Sequence, residues 1–163
     1  MNSPVSLGVA RRRIVRTVAS MAATLAAVTA LIELTRAQPP APKPTMPIKQ
    51  LMETVITDAS NAIWAASDPP TSGEQWTALE QAALKLVDAS RVTAVGGTGP
   101  MDEEWAKQPA WQPFNAAMLA ASEAALAAIR AKDHDALLAA SDALYPPCEG
   151  CHLVFNPGVV KQN

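Results

Sequence analysis

The residues of this chain best suited to chemistry lie in one short run, "YPPCEGCHLVF", from Tyr145 to Phe155. Both cysteines of the 163-residue chain are here, three positions apart, and a histidine follows the second: Cys148-Glu149-Gly150-Cys151-His152. A disulfide at that spacing would close a very small loop and constrain the unfolded chain little. A thioredoxin-like pair needs a strand-to-helix setting. A tetrahedral zinc site needs two further ligands. The other histidine, His134, lies 18 residues before His152, roughly 27 Å away along a continuous helix. C-x-x-C-H fits a different chemistry, the attachment of a c-type haem, in which the two thiols add to vinyl groups and form thioethers. On a helical turn, cysteines three apart point to neighbouring directions on one face, so one rigid macrocycle can satisfy both. The next residue, His152, is then carried toward the iron as its proximal ligand. One motif implies one covalent haem c.

The elements that must position this motif read as helices. Ile48, Leu51, Met52, Val55, Ile56, Ala59 and Ile63 recur at steps of three and four, giving a first helix that stops at "SDPP". Ser72 and Gln75 form a capping box in "SGEQ" that opens a second helix, with Trp76, Leu79, Ala83, Leu86, Val87 and Ser90 facing inward until "VGGTGP" ends it. "DEEWAK" reads as a short turn before a third helix that starts at about Pro109 or Pro113 and runs to Ala131, with Trp111, Phe114, Met118, Ala121, Ala125 and Ile129 on its stripe. Asp133 caps a fourth helix, in which Leu137, Leu138 and Leu144 are available to the core and the cysteine motif lies at the far end. Pro disfavours helix in the residue before it, so Pro146 and Pro147 predict a kink near Tyr145 and a restart at Pro147. No stretch alternates as a strand. The expected fold is all-α, an antiparallel up-down-up-down four-helix bundle with a covalently attached haem c near the C-terminus.

That topology gathers the start of helix one, the end of helix two, the start of helix three and the end of helix four at one end. The residues expected to wall a haem pocket there are Leu51, Val55, Val87, Arg91, Trp111, Phe114, Met118 and Phe155. Arg91 either neutralises a haem propionate or caps the end of helix two. Trp64, Trp76, Ile129 and His134 are expected at the opposite end. Met52, one turn beyond Ile48, falls at the motif's end, and its thioether is a soft donor suited to a Met/His haem. Met46, Met101 and Met118 are its rivals as the distal ligand.

Composition and charge set the remaining bounds. At 49% hydrophobic and 17% charged the chain suits one domain. Much of the apolar share is alanine, so a large apolar ligand could supply missing core. Arg11, Arg12, Arg13 and Arg16 precede an uncharged run of 16 residues from Thr17 to Ile32, short for a membrane span and suited to a signal peptide. The small residues around Arg36 in Thr35-Arg36-Ala37 place cleavage before Gln38. Residues 1–37 therefore read as an export signal, 38–45 as a proline-rich tether and 46–163 as the domain, with the periplasm as destination and no membrane association after cleavage; the alternative is that residues 1–37 stay as an uncleaved N-terminal membrane anchor. The signal takes five of the 13 basic residues and one of the 15 acidic, leaving eight against fourteen and a net charge of −6. Scattered positive charge on an acidic domain excludes nucleic-acid binding.

With "IKQLMETV" opening helix one and "CEGCHLVF" closing helix four, residues 46–156 resemble the cytochrome c-prime family, the class II c-type cytochromes, and are closer to its methionine-ligated low-spin branch. The resemblance implies a four-helix bundle, a periplasmic haem c and electron transfer with redox partner proteins. Bundles of that family are often homodimers through helices one and two. Gas-binding members commonly carry a basic residue four after the haem histidine, where this chain has Asn156. Two functions follow as expectations: a one-electron carrier rather than an enzyme, and as the alternative a high-spin haem protein that binds nitric oxide or carbon monoxide at an open distal site.

Overall fold

A computed structural model of the chain describes residues 42–160, and the regular elements in that span are all helices. The expected signal at 1–37 lies outside the described residues, as does the first part of the tether. Among the described residues no helix is long and apolar enough to cross a membrane.

Helix α1 begins after Pro47, which is extended (φ −60°, ψ 145°). It runs as α-helix over Ile48–Leu51, passes through a π-helical stretch at Met52–Ile56 and continues as α-helix over Thr57–Trp64. The wider π turn changes the facing of the side chains in and beyond it: Leu51 and Ile56 are buried, while Met52 and Val55 are only half-buried. The first N–H groups of a helix have no partner within it, and the N–H of Ile48 donates to Asp102 Oδ2 at 2.8 Å. Asp102 is itself buried and also accepts from the N–H of Gly99 at 2.7 Å. A side chain at Gly97 would run into this carboxylate and into the backbone nitrogen of Ile48, so only glycine fits there.

Helix α2, Gly73–Val95, opens on the expected capping box: Gln75 N–H donates to Ser72 Oγ at 3.3 Å and Ser72 N–H to Gln75 Oε1 at 3.2 Å. It ends at Gly96, whose φ of 100° a residue with a Cβ rarely adopts. The short α3, Asp102–Ala106, corresponds to the "DEEWAK" turn and presents the buried Asp102. Helix α4, Trp111–Ala131, starts between the two expected prolines, with Pro113 in its first turn, where a missing N–H costs nothing.

Helix α5, His134–Phe155, opens with Asp133 Oδ1 accepting from the N–H of Ala136 at 3.0 Å. The kink and restart expected at Pro147 give way to one helix that runs through both prolines. Pro146 and Pro147 leave the carbonyls of Asp142 and Ala143 without their helical donors. Both of those residues are exposed, so water can take the donors' place. Leu138, expected in the core, is 36% exposed. A short α6, Pro157–Val160, ends the described chain.

The helices pair through specific contacts. Arg91 reaches Glu123 at 2.9 Å and Arg130 reaches Glu80 at 2.7 Å, so α2 and α4 run antiparallel. The two-residue turn Lys132-Asp133 makes α4 and α5 antiparallel neighbours. Trp64 Nε1 donates to the carbonyl of Ser141 at 3.1 Å and His134 Nε2 lies 3.1 Å from the carbonyl of Ala66, which sets α5 antiparallel to α1. The buried core is built from Ile63, Leu86, Leu137 and Leu144 with eight or more alanines between them, among them Ala83, Ala125 and Ala128.

Candidate functional site: a thiol-lined cavity

At the C-terminal end of α5, helical spacing puts Tyr145, Cys148, Glu149 and His152 on one side, with Cys151 beside them. All five line a cavity of about 610 Å³, within the size range of small-molecule and cofactor sites. The two thiols are not joined. Helix α1 contributes Met52, Ile56, Thr57, Ser60, Asn61 and Trp64 to the opposite wall. Helix α4 closes the back with Trp111, Phe114, Asn115 and Met118. Thr57, Asn61, Trp64 and Tyr145 are exposed and form the mouth, while Ile56, Ser60, Trp111, Asn115 and Met118 are buried behind them.

Gly150 lets α5 come close to α4. A Cβ there would lie 2.6 Å from Phe114 Cε1, so the residue between the two cysteines must lack one if the ring is to keep its place. Trp111 is 1% exposed and its indole N–H donates to the carbonyl of Thr93 at 2.9 Å. Phe155 meets it edge to face at 4.9 Å, and Trp105 lies 6.1 Å from both rings, stacked on Trp111 and tilted to Phe155. This aromatic cluster fastens the end of α5 to the start of α4.

Burial tunes the motif toward its neutral forms. It pushes the Cys148 thiol up, and Cys151, where the neighbouring Cys148 adds to burial, is pushed up to about 11. Burial also holds the His152 imidazole below its usual range, so that at neutral pH the ring is uncharged and one nitrogen lone pair is free. Thiols that act as nucleophiles or redox partners have the opposite tuning, a lowered pKa. Among the described residues no group of three or more His, Cys, Asp or Glu could hold a bare metal ion.

The cavity brings together Cys148, Cys151, His152, Met52, Trp111, Phe114 and Met118. Five other residues expected around it do not line it. Leu51 and Val87 are buried in the core, Val55 packs against that core from the side, and Phe155 is engaged with the two tryptophans. Arg91 neither faces the cavity nor caps α2, because its guanidinium is drawn across to Glu123 with Asp88 at 3.6 Å.

Trp64 departs from expectation in the other direction. Its position late in helix one places it at the far end, yet its long side chain reaches the cavity wall while its indole N–H is held by Ser141. His134 is tied to Ala66 at the far end, as its spacing implies. Ser60, Asn61, Asn115 and Tyr145 are cavity residues that sequence reasoning misses. The available signal is a polar residue interrupting an apolar stripe, Ser60 after Met52 and Ile56, and Asn115 between Trp111 and Met118. Comparison with protein-family models, curated proteins and solved structures found no match to the chain.

Proposed function

We propose that the chain is a periplasmic mono-haem c-type cytochrome of the class II kind that carries single electrons. In this reading α1, α2, α4 and α5 form an antiparallel four-helix bundle, Cys148 and Cys151 hold the haem by thioethers, His152 is the proximal iron ligand and Met52 the distal one. The observation that carries it is the convergence of both thiols and an uncharged imidazole on one cofactor-sized cavity with a methionine on the facing helix. When bound there, the haem supplies one-electron exchange at its iron.

The chain's own residues have distinct tasks. Cys148 and Cys151 would hold the haem, each through a thioether. An uncharged imidazole presents a lone pair without first losing a proton. Ile56, Trp111 and Phe114 keep water from the ligands, and burial together with a Met/His pair raises a haem potential. Because both thiols are tuned away from the thiolate, the Cys–His set is poorly suited to nucleophilic catalysis, which favours a carrier over an enzyme.

The choice of Met52 rests on register. Starting from the Trp64–Ser141 contact and moving back along α1 brings Met52 to about the level of His152. Met118 also lines the cavity, but starting from the Gly150–Phe114 approach it falls near Pro146 and Pro147, about 8 Å from that level. Met101 is 41% exposed in the loop before α3, and Met46 packs on the core.

The test is an acid–acetone extraction and an absorption spectrum of the full chain purified from a periplasmic fraction, in both redox states. Colour retained on the polypeptide, with a low-spin spectrum and a sulfur-to-iron band near the red edge, is the expected result. A colourless polypeptide overturns the reading. A covalent haem that is high-spin and responds promptly to carbon monoxide replaces the carrier with the gas-binding alternative.

A further inference from the structure

Among the described residues, Ser60 Oγ is the buried side-chain polar atom left without a hydrogen-bond partner. Ser60 is 2% exposed and lines the cavity. A serine within a helix ordinarily returns its hydroxyl to the carbonyl four residues earlier. Two other buried helical serines do so: Ser90 donates to Leu86 and Ser122 to Met118, each at 2.7 Å. Ser60 forgoes that bond, and an unpaired buried hydroxyl costs about 1–3 kcal/mol. Retaining one on a cavity wall is reasonable if the cavity's occupant brings an acceptor.

We propose that Ser60 donates a hydrogen bond to a carboxylate of the group bound in the cavity, so that it acts as a positioning residue for that group. This inference rests on the haem reading. Ser60 lies two helical turns beyond Met52, about 12 Å along α1, and so meets the edge of a macrocycle rather than its iron. The hydrogen-bond acceptors on that edge are the two propionate carboxylates. Thr57 and Asn61 flank Ser60 on the same face at the exposed mouth. A carboxylate with one oxygen at Ser60 and the other toward Thr57 and Asn61 stays in touch with water, which limits the cost of burying its charge. Among the described residues no Lys or Arg lines the cavity, and Arg91 is committed to Glu123. Recognition of the carboxylate therefore falls to neutral donors.

The experiment uses the haem-bearing full chain and compares wild type, Ser60→Ala and Ser60→Val with Ser90→Ala as a control for loss of a buried hydroxyl elsewhere. The readouts are the propionate bending band in resonance Raman spectra and the reduction potential. Ser60→Ala and Ser60→Val are expected to shift the band and, by leaving the carboxylate's charge less compensated beside the iron, to lower the potential. The spin state should be unchanged, and Ser90→Ala should move neither readout. A haem-bearing chain whose band and potential ignore both Ser60 substitutions overturns this inference alone and assigns the hydroxyl to a bound water. A chain that carries no covalent haem overturns the cytochrome reading and this inference with it.

Discussion

Asp102 is the residue whose replacement should say most about how helix α1 is held. Its Oδ2 accepts both the Ile48 N–H at 2.8 Å and the Gly99 N–H at 2.7 Å. Hydrogen bonds to a charged acceptor contribute about 1.5–3 kcal/mol each. The two donors differ in what happens when the acceptor is lost. Gly99 is half-exposed and can turn to water, whereas Ile48 is 4% exposed and cannot without α1 fraying. We therefore expect Asp102→Ala to destabilise the chain by about 2–4 kcal/mol, most of it from Ile48. Asp102→Asn keeps a neutral oxygen in the same place and should lose about half as much.

Urea unfolding of the full chain measures both losses, with the midpoint falling and the slope unchanged. Met52 lies one turn beyond Ile48, so the haem-bearing Asp102→Ala protein should also gain a high-spin fraction that Asp102→Asn lacks. A loss below about 1 kcal/mol for Asp102→Ala, or an equal loss for both variants, would show that the carboxylate does not secure the helix start.

Further outcomes are expected at the cavity. Met52→Ala should convert a low-spin haem to high-spin and lower its potential, while Met118→Ala should leave the spin state alone; optical spectra and redox titration check both, and the opposite pattern reassigns the ligand. In haem-free chain, Cys151, with its thiol pushed up to about 11, should alkylate roughly a hundred-fold more slowly at pH 8 than an ordinary thiol. Since the thiolate is the reacting form, the rate should rise about tenfold per pH unit until the pH nears that value. Mass-spectrometric tracking of iodoacetamide labelling reads this out, and a rate at pH 8 like that of a free thiol contradicts it. Gly150→Ala puts a Cβ 2.6 Å from Phe114 Cε1 and drives the ring toward the cavity. The overpacking cost of about 1–3 kcal/mol exceeds the roughly 1 kcal/mol gain in helix propensity, so haem incorporation and thermal midpoint should both drop, and adding Phe114→Leu should restore them.

How much of the fold was legible in the sequence depends on the range of the interactions. The capping box at Ser72 and Gln75, the cap at Asp133 and the apolar stripes depend on neighbours within four residues, and apart from the exposed Leu138 each is where the sequence put it. The π-helical stretch at Met52–Ile56 was invisible because one extra residue per turn leaves the local residue types unchanged. The unbroken path of α5 through Pro146 and Pro147 was missed for a related reason. The penalty for proline is local, whereas what offsets it is non-local: Pro147 is itself buried, and Phe155 beyond it is fixed to Trp111. Long side chains caused two further errors. Arg91 and Trp64 stand near where topology put them, but each reaches several ångströms sideways to a partner on another helix, Glu123 and Ser141, that periodicity cannot name.

The position of the cavity has a simple origin in side-chain size. Toward the turn that joins α4 to α5, the buried positions include Ala125 and Ala128 on α4 and Ala140 on α5, and residues this small let two helix backbones approach. At the other end α4 carries Trp111, Phe114 and Met118. Helix α1 touches α5 through Trp64 but faces it across the cavity at Met52. Alanine thus closes one end, while bulky residues spread the other, and the space between α1, α4 and α5 is left open where Cys148, Cys151 and His152 point. An alanine core gains little from burial per residue, so the chain without an occupant gives up stability at the end that the bulky residues hold apart. On the haem reading proposed above, a rigid apolar ligand bonded to α5 and facing α1 would supply what that end lacks. On that reading the same sequence bias makes room for the cofactor, and the haem-free chain should unfold at a lower urea concentration than the haem-bearing one.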